Sequence, residues 1–327
     1  AQLASVAGER LHAKSAPRKS RLTIFAPSVP SFTLMVVRVP VPPPAGEWFS
    51  GEALRKANSN EYWYGITAAR TVKKNMAIGF SPYIVYRSVD SRFQAAAQAF
   101  DDQGNFAQAY VADDYKFYHV RALMKIGLAV GRNDWKAGLT LTTPSLGIMG
   151  SGETMTQATV SGVDLDGNGE IDPPYAANNF QEELSTTWKS PLSLAAGLSW
   201  KPGRTGSHLT AEWFDAVGQT DAMDPEPFYD QTTGELRQPV LSYAAKRVFN
   251  YGVGFEHDFE GNVSAYGAFR SDFSSNPGDD SNTLSLTAWT LWHVSGGAAF
   301  EFLNMEFNVG LQYSWGSWDA ERFINFN

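Results

Sequence analysis

The sequence predicts an all-β chain: a transmembrane antiparallel β-barrel of about fourteen strands, with long extracellular loops and short periplasmic turns. Three observations carry that expectation. Apolar and polar residues alternate over stretches long enough to cross a bilayer when tilted, roughly ten residues each. The stretches recur along most of the chain, and their connections alternate between tight turns and long polar insertions.

The clearest instance runs from Tyr118 to Thr142. Tyr118, Val120, Ala122, Met124, Ile126, Leu128 and Val130 share one face, while His119, Arg121, Lys125 and Gly127 share the other. After Gly131–Arg132–Asn133–Asp134 the alternation resumes, with Trp135, Ala137, Leu139 and Leu141 opposite Lys136, Gly138, Thr140 and Thr142. Side chains swap faces at every strand residue, so one face is continuous hydrocarbon and the other is wet. Strands of a soluble sandwich are shorter, about five or six residues.

The same reading gives strand candidates at 20–26, 31–39, 61–71, 75–88, 115–130, 134–146, 179–189, 191–201, 207–217, 238–248, 249–259, 262–273, 282–294, 296–303 and 305–316. Tight turns are expected at Val72 to Asn75, Gly131 to Asp134, Lys189 to Pro191, Pro202 to Gly206, Glu260 to Asn262 and Leu303–Asn304. Long insertions are expected at 41–60, 90–114, 147–178, 219–238 and 274–281, on the extracellular side. Tyr62, Trp63, Tyr86, Trp135, Trp200, Trp213, Tyr313 and Trp315 fall near strand ends, where amphipathic rings sit at the headgroup level. Residues 1–19 form a separate N-terminal segment, and 20–327 form the barrel. The chain ends in AERFINFN rather than on a strand with a terminal aromatic, so a missing closing strand is expected.

Composition narrows the class. A chain of 327 residues at 43% hydrophobic content accommodates one large barrel. No apolar run reaches the roughly 18 residues of a membrane helix. Cysteine is absent, which removes disulfides and thiolate chemistry. A net charge of -8 with no basic cluster beyond Arg18, Lys19 and Arg21 gives nucleic acid no purchase. No signal peptide is legible at the start, so a mature or trimmed chain is expected. A barrel of this kind belongs in the bacterial outer membrane, with membrane lipid around it.

Three stretches, EYWYGITAARTVKKNMAIGFSPYIVYRS, PLSLAAGLSWKPGRTGSHLTAEWF and YGVGFEHDFEGNVSAYGAFRSDFS, resemble paired strands of the FadL-type outer-membrane transporters for long-chain fatty acids and hydrocarbons. The resemblance spans roughly residues 60 to 316 and rests on hairpin rhythm. It implies a fourteen-stranded barrel, an N-terminal plug, and passive uptake of hydrophobic molecules without a required cofactor. Members of that family carry an Asn-Pro-Ala element near the mature N-terminus, and no such tripeptide occurs here. No ligand-binding position is carried over.

The sharpest local chemistry is VDLDGNGEIDPP. Asp164, Asp166 and Asn168 stand at alternate positions, followed by Gly169, Glu170 and Asp172, as at the start of a calcium loop. Hard oxygen ligands converge there because glycine permits the sharp turn. The twelfth position is Tyr175 where a bidentate Glu would sit, so a structural calcium in the 147–178 loop would be weak, about 0.1–1 mM, helped by Glu182, Glu183 or water. The alternative is a solvated turn, since Asp, Asn and Gly are the favoured turn residues.

Catalysis has little support. The five histidines form no metal-ligand spacing, and no nucleophile elbow or phosphate loop occurs. A Ser–His esterase site on a barrel would leave no mark in spacing. His119 and Arg121, with Lys125 and Glu212, are expected to form a charge network in the lumen, and Tyr83, Leu123 and Phe214 to line it. The leading reading is passive uptake of a hydrophobic small molecule such as a long-chain fatty acid. The alternative is a structural or adhesive barrel, a subunit of an envelope complex with protein partners. A hydrophilic porin and an outer-membrane hydrolase come after these.

Overall fold

The computed structural model describes residues 33–38, 48–100, 104–164, 170–260, 262–278, 284, 289–302 and 305–317. The expected N-terminal segment, the 20–26 strand candidate and the last residues lie outside that set. The described residues form strands β1 (Thr33–Arg38), β2 (Trp48–Gly65), β3 (Ala68–Lys73), β4 (Met76–Phe100), β5 (Phe106–Arg132), β6 (Trp135–Thr142), β7 (Leu146–Ser161), β8 (Tyr175–Ser185), β9 (Ser193–Trp200) and β10 (Thr205–Phe214). The remainder are β11 (Val217–Met223), β12 (Phe228–Tyr229), β13 (Leu236–Arg237), β14 (Leu241–Ala245), β15 (Val248–Asp258), β16 (Val263–Asp272), β17 (Thr290–Phe302) and β18 (Met305–Ser317).

The chain is an all-β, antiparallel β-barrel type. One fourteen-stranded sheet runs β1-β2-β4-β5-β6-β9-β10-β15-β16-β17-β18, with β3 on β4 and with β7 and β8 beside the upper half of β5. Among the described residues β18 pairs with β17 alone.

The alternation decides the faces. Ile78, Phe80, Ile126, Leu128, Leu139, Leu198, Phe249, Phe255, Val294 and Val309 all stand exposed on the outer face. In a water-soluble sheet such a belt would be an aggregation surface; against lipid it is the matched one. Stacked Trp135 and Trp200, with centroids 5.5 Å apart, mark its short-turn end, and Tyr86 stacks on Tyr118 at 6.0 Å further up.

The tight turns at 72–75, 131–134 and 202–206 fall where the turn residues place them, while residue 261 and the Leu303–Asn304 turn lie outside the described residues. Asn133 and Asn262 take the left-handed conformation, at φ 51° and 60°, which asparagine tolerates because its short side chain can hydrogen-bond locally. Two expectations change at turns. Over the described residues the 282–294 and 296–303 candidates join in one strand, β17, because Ser295, Gly296 and Gly297 stay in register with Ala268, Gly267 and Tyr266. Lys189 to Pro191 is no hairpin: residues 186–192 descend from β8 to β9 inside the barrel.

Of the long insertions, 41–60, 90–114 and 147–178 are largely strand where described. β4 and β5 have 25 and 27 residues and stay paired from Met76↔Val130 to Phe100↔Phe106. At about 3.3 Å per residue they far exceed the roughly 30 Å hydrocarbon layer. The segment 90–114, expected as a loop, is therefore a hairpin extension rich in Ala, with Phe100 against Phe106 at 4.8 Å near its tip. β7 and β8 extend the same lobe on the other side of β5. β6 and β7 are one ascending line interrupted at Thr143–Pro144–Ser145, since proline cannot donate to the ladder.

The short β12–β13 hairpin covers the free edge of β8. Gln231 donates from its backbone to the Ala176 carbonyl, accepts at Oε1 from the Asn178 amide and donates through Nε2 to the Asn178 carbonyl. A glutamine side chain thus supplies strand-like pairing and protects an edge that would otherwise recruit another chain.

Candidate functional site

The barrel interior is built from the wet faces of β2, β4, β5, β9 and β10. Strand pairing sets the first layer: Glu61 lies opposite Arg87, and Val85 opposite Arg121. Directly paired residues share a face, so these side chains converge. Glu61 Oε2 accepts from Arg121 Nη2 at 2.6 Å and from Arg87 Nη1 at 3.0 Å, while its Oε1 takes the Trp63 indole N–H at 2.7 Å. Ser59 and Ser190 accept further guanidinium N–H groups at 2.9 and 2.8 Å. Arg121 is 1% exposed.

One carboxylate serves two guanidiniums, leaving the layer with a net positive charge. Arg121 Nη1, Arg87 Nε and both His119 ring nitrogens are buried without a hydrogen-bond partner among the described residues. Unmatched donors in a low-dielectric interior favour a polar acceptor, from water or from the polar end of a guest molecule.

Above this layer the interior is filled. Trp188 stacks on Tyr243 with centroids 4.0 Å apart and on Phe117 at 6.1 Å, and the Arg87 guanidinium covers its other surroundings 3.9 Å from the ring centroid. Val89, Tyr115, Val217, Ala222, Met223 and Leu284 complete the cluster. Trp188 belongs to the descending 186–192 segment, Tyr243 to β14. The Tyr243 hydroxyl accepts from the Lys189 amide. The Thr186 hydroxyl donates to the Tyr118 carbonyl at 2.8 Å, and the Thr187 amide donates to the Ala222 carbonyl at 2.9 Å.

This in-folding depends on glycine. In LGIMGSG of β7, a Cβ at Gly150 would collide with Thr186 Oγ1, and one at Gly152 with Met223 Sδ. Only a bare backbone lets the descending segment lie so close to the wall.

Below the arginines, Lys125 Nζ sits 5.0 Å from the Trp63 ring and 5.9 Å from Tyr83. Strand pairing puts Lys125, Thr142 and Ser193 in one row of the interior, and Ser193 donates to Glu212 at 3.1 Å. At the short-turn rim Lys201 bridges Glu256 and Asp258 at 2.6 and 2.8 Å.

The expected lumen network of His119, Arg121, Lys125 and Glu212 therefore lies inside the barrel, as do Tyr83 and Leu123. Trp63, expected at the headgroup level, faces the interior instead because its parity is that of Glu61. Alternation puts Arg87 on the wet face of its strand, but neither it nor Glu61 was expected in the network they complete. Trp188 and Tyr243 left no periodic signal.

Of the calcium-loop residues, Asp166 and Asn168 lie outside the described set. Asp164, Glu170 and Asp172 flank that gap, and the Asp172 amide donates to the Val163 carbonyl at 3.0 Å, closing the loop base. Tyr175 begins β8 opposite Val160, which places it in the sheet rather than on the loop. Among the described residues no group of three or more His, Cys, Asp or Glu is arranged to hold a metal ion.

A Ser–His contact does occur: His293 Nδ1 lies 2.6 Å from Ser314 Oγ. The other ring nitrogen has no hydrogen-bond partner among the described residues. Among the described residues no carboxylate accepts from that nitrogen, the place where the third member that activates a nucleophile would sit.

No protein-family model matches the chain, and no curated protein matches it. Among solved structures it is similar to the CymD monoaromatic hydrocarbon channel, with a TM-score of 0.50 and 13% sequence identity over 84% of this chain and 76% of that one. At that identity the likeness concerns the fold: this chain is built as a β-barrel of the kind found in that channel.

Proposed function

We propose that this chain is a bacterial outer-membrane protein for passive uptake of hydrophobic small molecules. The observation that carries the reading is the Trp188–Tyr243–Phe117 stack, an apolar aromatic filling directly above a buried arginine layer, within a wall whose outer face is exposed hydrocarbon. A filled, aromatic interior opposes a steady water column and favours guests that shed little hydration. A molecule with an apolar body and an acceptor at one end suits both layers, so long-chain fatty acids remain the substrate class proposed. The similar CymD structure is a monoaromatic hydrocarbon channel, and flat rings are the second class to test.

Reconstitution in liposomes separates the readings. Uptake of a fluorescent long-chain fatty acid, or of a monoaromatic hydrocarbon, with little ion conductance is expected. Large steady conductance would identify a hydrophilic pore. Neither activity would favour the second reading, a structural or adhesive barrel with an envelope partner, which the extended β4–β5 lobe favours. We also propose weak calcium binding by the loop containing Asp164, Asp166, Asn168, Glu170 and Asp172. Equal protease cutting there with calcium and with chelator would retire it.

A further inference from the structure

We propose that the outer wall carries a binding site for one anionic phospholipid at the short-turn end, beside β3. The inference rests on the membrane reading above and adds a specific lipid partner to it.

Alternation and pairing put Arg70 on the wrong face for a charge. It lies directly opposite Ile78, which lies opposite Leu128, which lies opposite Leu139. Those three residues are exposed members of the lipid-facing belt, and paired residues share a face. Arg70 is exposed and, among the described residues, has neither a carboxylate nor a hydrogen-bond partner. A cation on the lipid face is costly at the midplane and is tolerated only near the headgroups. Arg70 stands three residues before Lys73, within snorkelling reach of the interface.

The surface beside it is shaped. A groove of about 670 Å³ runs along β3, β4, β5 and β6, with an almost wholly apolar lining. Ala68, small and on the outward face, stands in it beside the larger Phe80, Ile126, Leu128 and Leu141. That volume is within the range of pockets that hold small ligands, about 300–1,000 Å³.

Charge complementarity selects the occupant. Exposed Lys73, Lys74 and Arg132 stand at the β3–β4 and β5–β6 turns at the groove's short-turn end, beside the carboxylate of Asp134. Across the rim the cations are matched: Lys201 bridges Glu256 and Asp258, and Arg204 meets Glu260 at 3.2 Å. Surplus positive charge thus accompanies the apolar groove and is absent opposite it. A diacyl lipid with an anionic phosphate headgroup satisfies both parts: an acyl chain fills the groove and Arg70 clasps the phosphate, a pairing its planar fork suits.

The test is native mass spectrometry of the full chain titrated with dioleoyl-phosphatidylglycerol or dioleoyl-phosphatidylcholine, alongside a check of insertion into liposomes by heat-modifiable gel mobility. Wild type is expected to retain one phosphatidylglycerol in preference to phosphatidylcholine. Arg70→Gln should weaken that retention about fivefold, Arg70→Lys should restore much of it, and Arg204→Gln should leave it unchanged. Insertion with equal retention of both lipids, or with R70Q matching wild type, overturns the site while leaving the membrane reading intact. Failure to insert overturns both.

Discussion

Arg121 and Glu61, sixty residues apart in the chain, meet at 2.6 Å inside the barrel, with the arginine almost wholly enclosed. Glu61 also holds Arg87, so a single carboxylate keeps two buried guanidiniums in place. Removing one partner of a buried pair leaves an uncompensated charge, which costs more than the pair itself contributes.

Glu61→Gln is therefore expected to destabilise the folded barrel by about 3–5 kcal/mol. The double variant Glu61→Gln with Arg121→Met should cost clearly less than the sum of its parts, because the two share one interaction. Urea unfolding in detergent micelles, followed by gel mobility, gives all three values; strict additivity would show that the pair is not coupled.

Trp188→Ala removes the ring between Tyr243 and Phe117. A loss of about 2 kcal/mol is expected from the lost burial of a half-enclosed aromatic. The functional consequence is larger: the interior should admit water, so planar-bilayer conductance should rise well above wild type. Unchanged conductance would mean that the stack does not close the passage.

Gly150→Val places two methyl groups where Thr186 Oγ1 now lies. The 186–192 segment should then leave the wall, while the outer sheet is retained. Limited proteolysis reads this directly: faster cutting at Lys189, with strand content by circular dichroism unchanged.

Asp230 in the β12–β13 hairpin accepts from Thr233 Oγ1 at 2.6 Å, from the Thr233 amide at 2.6 Å and from the amides of Thr232 and Gly234. These bonds, the Thr233 hydroxyl first, hold its carboxyl below the ordinary aspartate value of 3.8. A depressed folded value means that the stabilisation is fully present above 3.8 and is lost as pH falls through the lower folded value. Hydrogen exchange of residues 228–237 should be slow at neutral pH and accelerate only under strongly acidic conditions, and Asp230→Asn should abolish that dependence.

The face of each wall residue was legible in the sequence, because a period of two leaves no choice once one face is apolar. That is why Arg121, Lys125 and Glu212 could be assigned to the interior and Leu128, Leu139 and Phe255 to the outside. The turns at Asn133 and Asn262 were legible too, since local chemistry decides them. The extension of β4 and β5 was not: residues 90–114 alternate less sharply, and their pairing is settled by the continuing ladder. Trp188 was invisible because a descending segment has no period, and its neighbours Tyr243 and Phe117 lie 55 and 71 residues away. Sequence by itself determined which side of the wall each strand residue faces, through alternation. Only the tertiary structure decided what fills the barrel, because the contacts of Glu61, Trp188 and Gly150 join segments that no local rule connects.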